Sequence, residues 1–219
     1  MQELRQASED AIARIHVVDD AEIEAIDRAN RQRDAASILE RLPDFVRRPR
    51  GTDLADRVNP EVRAKVRGWS PQSGSLVILG PTRIGKTSAA GFLFRREVAR
   101  GVHFGGSQWR MAGSMHWFSA TDLEKARKEH PLGKGDAPEI ISACYASVLF
   151  VDDVGWDRDP AAVTDVLAKR YELCRPTVIT SALTRSELTG SYGAAAVRRL
   201  VEAGGLSVTI VDAHGGKNG

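Results

Sequence analysis

One eight-residue stretch constrains this chain more than any other. Gly80-Pro-Thr-Arg-Ile-Gly-Lys-Thr87 is a full match to the phosphate-binding pattern GxxxxGK[ST]. A tight loop of this kind lets backbone N–H groups surround phosphate oxygens. The Lys86 side chain reaches the β- and γ-phosphates, and the Thr87 hydroxyl binds Mg²⁺. The flanks fit the loop. Ser75-Leu-Val-Ile-Leu79 is a short apolar run of the kind that forms a buried parallel strand. Thr87 to Val98 reads as helix, with Phe92, Leu93 and Val98 among its apolar positions, so its N-terminus would point at the phosphates. Strand, loop and helix are therefore expected in that order. Gly80, Pro81, Thr82, Arg83, Ile84, Gly85, Lys86, Thr87 and Ser88 are the expected nucleotide-binding residues.

A second motif lies downstream. Ser147-Val-Leu-Phe-Val-Asp-Asp153 is an apolar run ending in two acids. A buried strand delivers such carboxylates to its carboxyl end, where ligands bind in open α/β sheets. Asp152 is expected to hold Mg²⁺, directly or through water. Asp153 has two readings: a base that polarises an attacking water, or a cap for the turn near Gly155. The two motifs together are far more specific than either alone, and they predict ATP or GTP binding with Mg²⁺.

Around them the chain alternates strand and helix. Strands are expected at 75–79, 116–119, 147–152, 176–181 and 206–211, and helices at 86–100, 121–129, 137–144, 160–174, 185–189 and 194–203. This alternation predicts an α/β fold with a parallel sheet flanked by helices. Gly101 to Gly113 reads as a loop. Cys144 and Cys174 both lie beside apolar strands and are expected as buried thiols. No Cys/His cluster has the spacing of a zinc site.

The net charge of +2 hides an asymmetry. Residues 1 to 40 carry five Arg against ten acids, and residues 41 to 67 carry eight Arg or Lys against four. The pattern suggests charged partners; a solvated surface is the other reading of the basic stretch. Residues 3 to 41 read as helix interrupted near Val17-Val-Asp-Asp20, with an apolar stripe too thin to bury a core alone. The stripe should dock on the main domain, a sister chain or a partner. Pro43, Pro49, Gly51 and Pro60 punctuate a linker. The expected organisation is an N-terminal helical arm at 1–42, a basic linker at 43–69 and a P-loop ATPase domain at 70–219. No run approaches the roughly 18 apolar residues of a membrane span, and the first ten residues lack an apolar signal core. A cytoplasmic chain with no membrane partner is expected.

The two motifs, the run Pro176-Thr-Val-Ile-Thr-Ser-Ala-Leu-Thr-Arg-Ser-Glu-Leu188 and the run Ala196-Val-Arg-Arg-Leu-Val-Glu202 resemble the DnaC/IstB-type AAA+ ATPases. That group includes replicative helicase loaders and transposase helper ATPases. The resemblance implies an AAA+ core with a five-stranded parallel sheet, in which the strand at 176–181 sits between the P-loop strand and the acid strand. It implies a polar sensor at the end of that inserted strand, where this chain has Ala182, with Thr180 or Ser181 as substitutes from the same strand end. It implies that Arg199 is an arginine finger donated to a neighbouring copy, hence a homo-oligomer in the ATP-bound state. With Lys86 and Asp153 from the two motifs, Arg199 completes the expected catalytic residues. Arg83 stands where many of the family's P-loops carry Gly; it either adds charge near the phosphates or faces a partner. The implied function is Mg²⁺-dependent ATP hydrolysis, slow or partner-stimulated, that loads or remodels a replicative helicase on DNA, single strands favoured. A transposase helper on duplex DNA and a nucleotide-gated binding module with little hydrolysis are the alternatives.

Overall fold

The computed structural model describes residues 20–40, 42–47, 60–100, 114–202 and 208–213. The readings made above for residues 1–19 and 101–113, and for the punctuated stretch 48–59, lie outside the described residues. Three helices come first: α1 (Asp20–Glu40), α2 (Asp44–Arg47) and α3 (Pro60–Gly68). The chain then alternates through β1 (Ser75–Leu79), α4 (Lys86–Ala99), β2 (Met115–Ser119), α5 (Ala120–Glu129), α6 (Pro138–Tyr145), β3 (Val148–Val154), α7 (Ala161–Glu172), β4 (Thr177–Ser181), α8 (Arg185–Tyr192), α9 (Ala194–Glu202) and β5 (Val208–Asp212). Each expected strand and helix from residue 75 onward is present, with ends shifted by a few residues.

The five strands pair in parallel in the order β2-β3-β4-β1-β5. β4 lies between the P-loop strand and the acid strand, as the resemblance implied. The central strands are buried on both faces, and their side chains alternate between two cores with the period of two that strands impose. Val77, Leu79, Leu149, Val151 and Ile179 face the helices α5 to α9. Leu76, Ile78, Phe150 and Val178 face α4 and the segments before β1. Fully burying an aliphatic side chain of this size is worth about 1.5–3 kcal/mol. The sheet is therefore the rigid frame from which the loops at its carboxyl end project.

The segment read as a basic linker contributes to this second core. Leu42, Val46, Val66 and Trp69 are each at most 3% exposed and pack with Leu93, Phe94 and Phe150. Trp69 meets Phe150 edge-on at 6.2 Å between ring centroids, and its indole N–H donates to Gly74 O at 3.0 Å. α2 comes so close to α4 that a Cβ on Gly91 would lie 2.4 Å from Val46 Cγ1. Arg95 donates to Val46 O and Arg96 to Arg67 O, which ties α2 and α3 to α4. The prolines and charges of 43–69 hid Val46, Val66 and Trp69, which are spaced too irregularly to show a helical stripe. The arm docks in part. Ala35, Ile38 and Leu39 at the end of α1 pack on the same core, whereas Ile26 is 49% exposed.

At the amino ends of the strands, Arg170 is 1% exposed. Its guanidinium donates to Thr177 Oγ1 at 2.8 Å, Ala143 O at 2.9 Å, Ala146 O at 2.8 Å and Pro176 O at 2.6 Å. Burial, with Arg175 nearby, lowers its pKa to about 9. Those carbonyls solvate a cation that water cannot reach. Cys144 is buried, and burial pushes its thiol pKa up. Cys174 corrects the expectation for the second thiol: it is exposed. It lies in the turn after α7 with φ 49, outside the apolar run of β4 that suggested burial.

Candidate nucleotide-binding site

The loop after β1 is held at both ends. Gly80 N–H donates to Ser181 O at 3.2 Å, which fastens the start of the loop to β4. Gly85, at φ 89, takes the N-cap position of α4, which begins at Lys86. The first N–H groups of a helix have no partner within it, so the start of α4 offers donors and a positive dipole end to an anion. Lys86 Nζ donates to Gly80 O at 2.7 Å and to Pro81 O at 2.8 Å, curling back over the loop. Burial lowers the Lys86 pKa, opposed by the nearby Asp153 and Asp152.

Across the cleft, β3 delivers the two acids in opposite environments. Asp152 is 5% exposed, while Asp153 is exposed. Strand alternation alone would separate them, but the pairing of β3 with β4 also slips between Val151 and Val154, and Asp153 adopts φ 55. Such a bulge re-aims side chains beside active sites. Asp152 Oδ1 accepts hydrogen bonds from Thr87 Oγ1 at 3.0 Å and from Thr180 Oγ1. Burial raises the Asp152 pKa to about 6, against the pull of its hydrogen bonds to Thr180 and Thr87.

Thr180 and Ser181, the two substitutes for the sensor, are both hydrogen-bonded within the protein. Thr180 donates to Asp152 and accepts from Asp153 N–H at 3.0 Å. Ser181 donates to Val154 O at 2.5 Å and accepts from Leu183 N–H at 3.1 Å. Both hydroxyls are fully buried and engaged along β3. Ala182 is the residue of that strand end that reaches the cleft. Asp153 lines the cleft.

The cleft encloses about 420 Å³ and is lined by Thr82, Arg83, Gly85, Lys86, Thr87, Ser88, Asp153, Trp156 and Ala182. Trp156, 64% exposed at its rim, escaped the sequence reading. The signal available was an aromatic residue in the polar turn Gly155-Trp-Asp-Arg-Asp159. That turn is pinned from two sides. Tyr192 O–H donates to Asp157 and accepts from Gly155 N–H at 2.8 Å, and Glu124 accepts from Arg158 N–H at 3.0 Å. Gly155, at φ 106, has Leu183 so close that a Cβ would lie 2.5 Å from its Cδ1.

Arg199 does not join this cleft. It is half-buried on α9 and lines a small cavity with Ser75, Arg170, Arg175 and Thr177, at the opposite ends of β1 and β4 from the P-loop.

The fold and the cleft define the P-loop NTPase class, with β4 inserted between the P-loop strand and the acid strand. Solved structures of similar fold are those of DnaI, with a TM-score of 0.55 at 18% identity over 82% of this chain and 95% of that one, and of AMPPCP-bound DnaA from Aquifex aeolicus, at 0.51 and 19% over 78% of this chain and 50% of that one. A structure described as a DNA replication initiation factor gives 0.51 at 19% identity, over 73% of this chain and 49% of that one. The chain thus spans about half the length of DnaA and nearly all of DnaI. At these identities the likeness carries the fold. No protein-family model and no curated protein sequence matches the chain.

Proposed function

We propose that the cleft binds and hydrolyses Mg²⁺-ATP, and that the chain uses this cycle to load or remodel a replicative helicase on DNA. The observation that carries the nucleotide half is the convergence of Lys86, Thr87 and Asp152: a hydroxyl and a carboxylate 65 residues apart meet at 3.0 Å beside a lysine that donates to two loop carbonyls. A hydroxyl and a carboxylate oxygen are the donors Mg²⁺ takes, so Thr87 and Asp152 fit it. Bound Mg²⁺ would supply neutralisation of phosphate charge. Lys86 would exchange its two carbonyls for phosphate oxygens. Asp153, exposed at the bulge, would orient and polarise the attacking water.

Arg199 stands far from its own cleft, so as a finger it would serve the cleft of a neighbouring copy, in a homo-oligomer formed with ATP. The helicase-loading half rests on the sequence resemblance and on the fold shared with DnaI and DnaA. Single-stranded DNA, contacted through basic residues, is the favoured nucleic acid, and the cytoplasm the setting. Among the described residues, no helix is long and apolar enough to cross a membrane.

ATP turnover measured with and without single-stranded DNA tests this reading. DNA should stimulate turnover, Lys86→Ala should abolish it, and Arg199→Ala should lower it by about 10³-fold or more if the finger acts in trans. Turnover indifferent to both DNA and Arg199 would count against it. A second reading, a nucleotide-gated binding module, is favoured by Ala182: Thr180 and Ser181 are engaged elsewhere, and the side chain that this strand end presents to the cleft is a methyl group. Tight ATP binding without turnover, even with DNA and helicase present, would select it.

A further inference from the structure

Arg83 adopts φ 68 in the middle of the P-loop. This is the left-handed region, which disfavours any residue with a Cβ and which glycine enters freely. A strained residue at a ligand cleft is a pointer to function when its side chain faces the ligand. Arg83 meets that condition. It is exposed, it lines the cleft with Lys86, Asp153, Trp156 and Ala182, and it has no hydrogen bond or ion pair among the described residues. Lys86 approaches from within the loop, is buried, and is already tied to Gly80 and Pro81. The open side of the loop therefore carries a second cation that forms no ion pair among the described residues.

We infer that Arg83 is a side-chain ligand for the polyphosphate of a nucleotide, so that the P-loop grips the phosphates with two cations, Lys86 from inside and Arg83 from the rim. The inference rests on the nucleotide-binding reading above and deepens it. The planar guanidinium suits phosphate oxygens, and its hydrogen bonds to them are charge-assisted. The bound triphosphate, with one more charge than the diphosphate, should depend on Arg83 more.

Equilibrium titration of Mg²⁺-ATP and Mg²⁺-ADP into the full chain, at two salt concentrations, tests this. Arg83→Gly should weaken ATP binding by about tenfold or more and ADP binding less, the range expected for one charge-assisted hydrogen bond. Its salt dependence should flatten. Thermal unfolding without nucleotide should run the other way: relief of the left-handed strain should raise the midpoint by about 2–4 °C. Arg83→Asn, which tolerates this backbone and lacks the charge, should weaken binding similarly, and Arg83→Lys should restore most of it. ATP affinity within twofold of the unaltered chain in both Arg83→Gly and Arg83→Asn overturns the inference, and leaves the function intact if Lys86→Ala still abolishes binding. An unaltered chain that binds no ATP overturns both.

Discussion

The two ends of the sheet use polar side chains in opposite ways. At the amino end, Arg170 is saturated by the oxygens of Ala143, Ala146, Pro176 and Thr177. Nothing a ligand could offer would improve on those bonds, and their purpose is to join α6, α7 and β4. At the carboxyl end, Lys86, Thr87 and Asp152 also bond to protein atoms, but each bond is of a kind that a phosphate or a cation can replace. Two of the three non-glycine residues with positive φ among the described residues, Arg83 and Asp153, are there as well. One end is built to be finished and the other to be completed.

The comparison can be broken most forcefully at the amino end. Arg170→Ala should strand several buried carbonyls at once and cost about 3–5 kcal/mol, read as a lower midpoint in urea. A change under about 1 kcal/mol would mean that these carbonyls find water and that the end is not sealed. The carboxyl end should respond in function more than in stability. Thr180→Val removes a hydrogen bond to the buried Asp152 carboxylate and should weaken Mg²⁺-ATP binding about tenfold, while urea stability falls by about 1–2 kcal/mol. Equal binding by both chains would show that Thr180 does not tune the acid.

A smaller effect concerns pH. Asp152 is raised from 3.8 to about 6 in the folded chain, so the fold binds this proton more tightly than the unfolded chain does. The nucleotide-free protein should therefore lose stability from this group as pH rises from about 4 to about 6. Binding of Mg²⁺-ATP needs the ionised carboxylate and should run in the opposite sense, weakening as pH falls below about 6. Titrations between pH 5 and 8 with Asp152→Asn as the reference check the sign, since the reference should lack both slopes.

Much of the carboxyl end was legible in the sequence, because phosphate binding leaves residues at fixed spacing and buried parallel strands leave continuous apolar runs. The strand, loop and helix around Gly80 to Thr87 and the five parallel strands came through for that reason, whereas the place of β4 between β1 and β3 came from the family resemblance. Trp156 and the turn held by Tyr192 did not come through, since a tyrosine at the end of α8 gives no sign of which turn it will reach 37 residues away. Arg170 reads in sequence as one more arginine on a helix; its burial follows from how α6 and β4 converge. Trp69 and Val46 were hidden among prolines and charges, and only the close approach of α2 to Gly91 exposes their role. The Asp153 bulge was equally invisible, because a slip of register depends on two strands and is written in neither.

The most direct test of the central claim is the thermal midpoint of the chain with ATP and Mg²⁺, set beside the same chain with ATP and EDTA and beside Lys86→Ala. Stabilisation should reach about 2.7 kcal/mol at a ligand concentration one hundred times Kd. Most of this should be lost without Mg²⁺ and all of it in Lys86→Ala. A midpoint that ATP does not move, or that moves equally in Lys86→Ala, would contradict it.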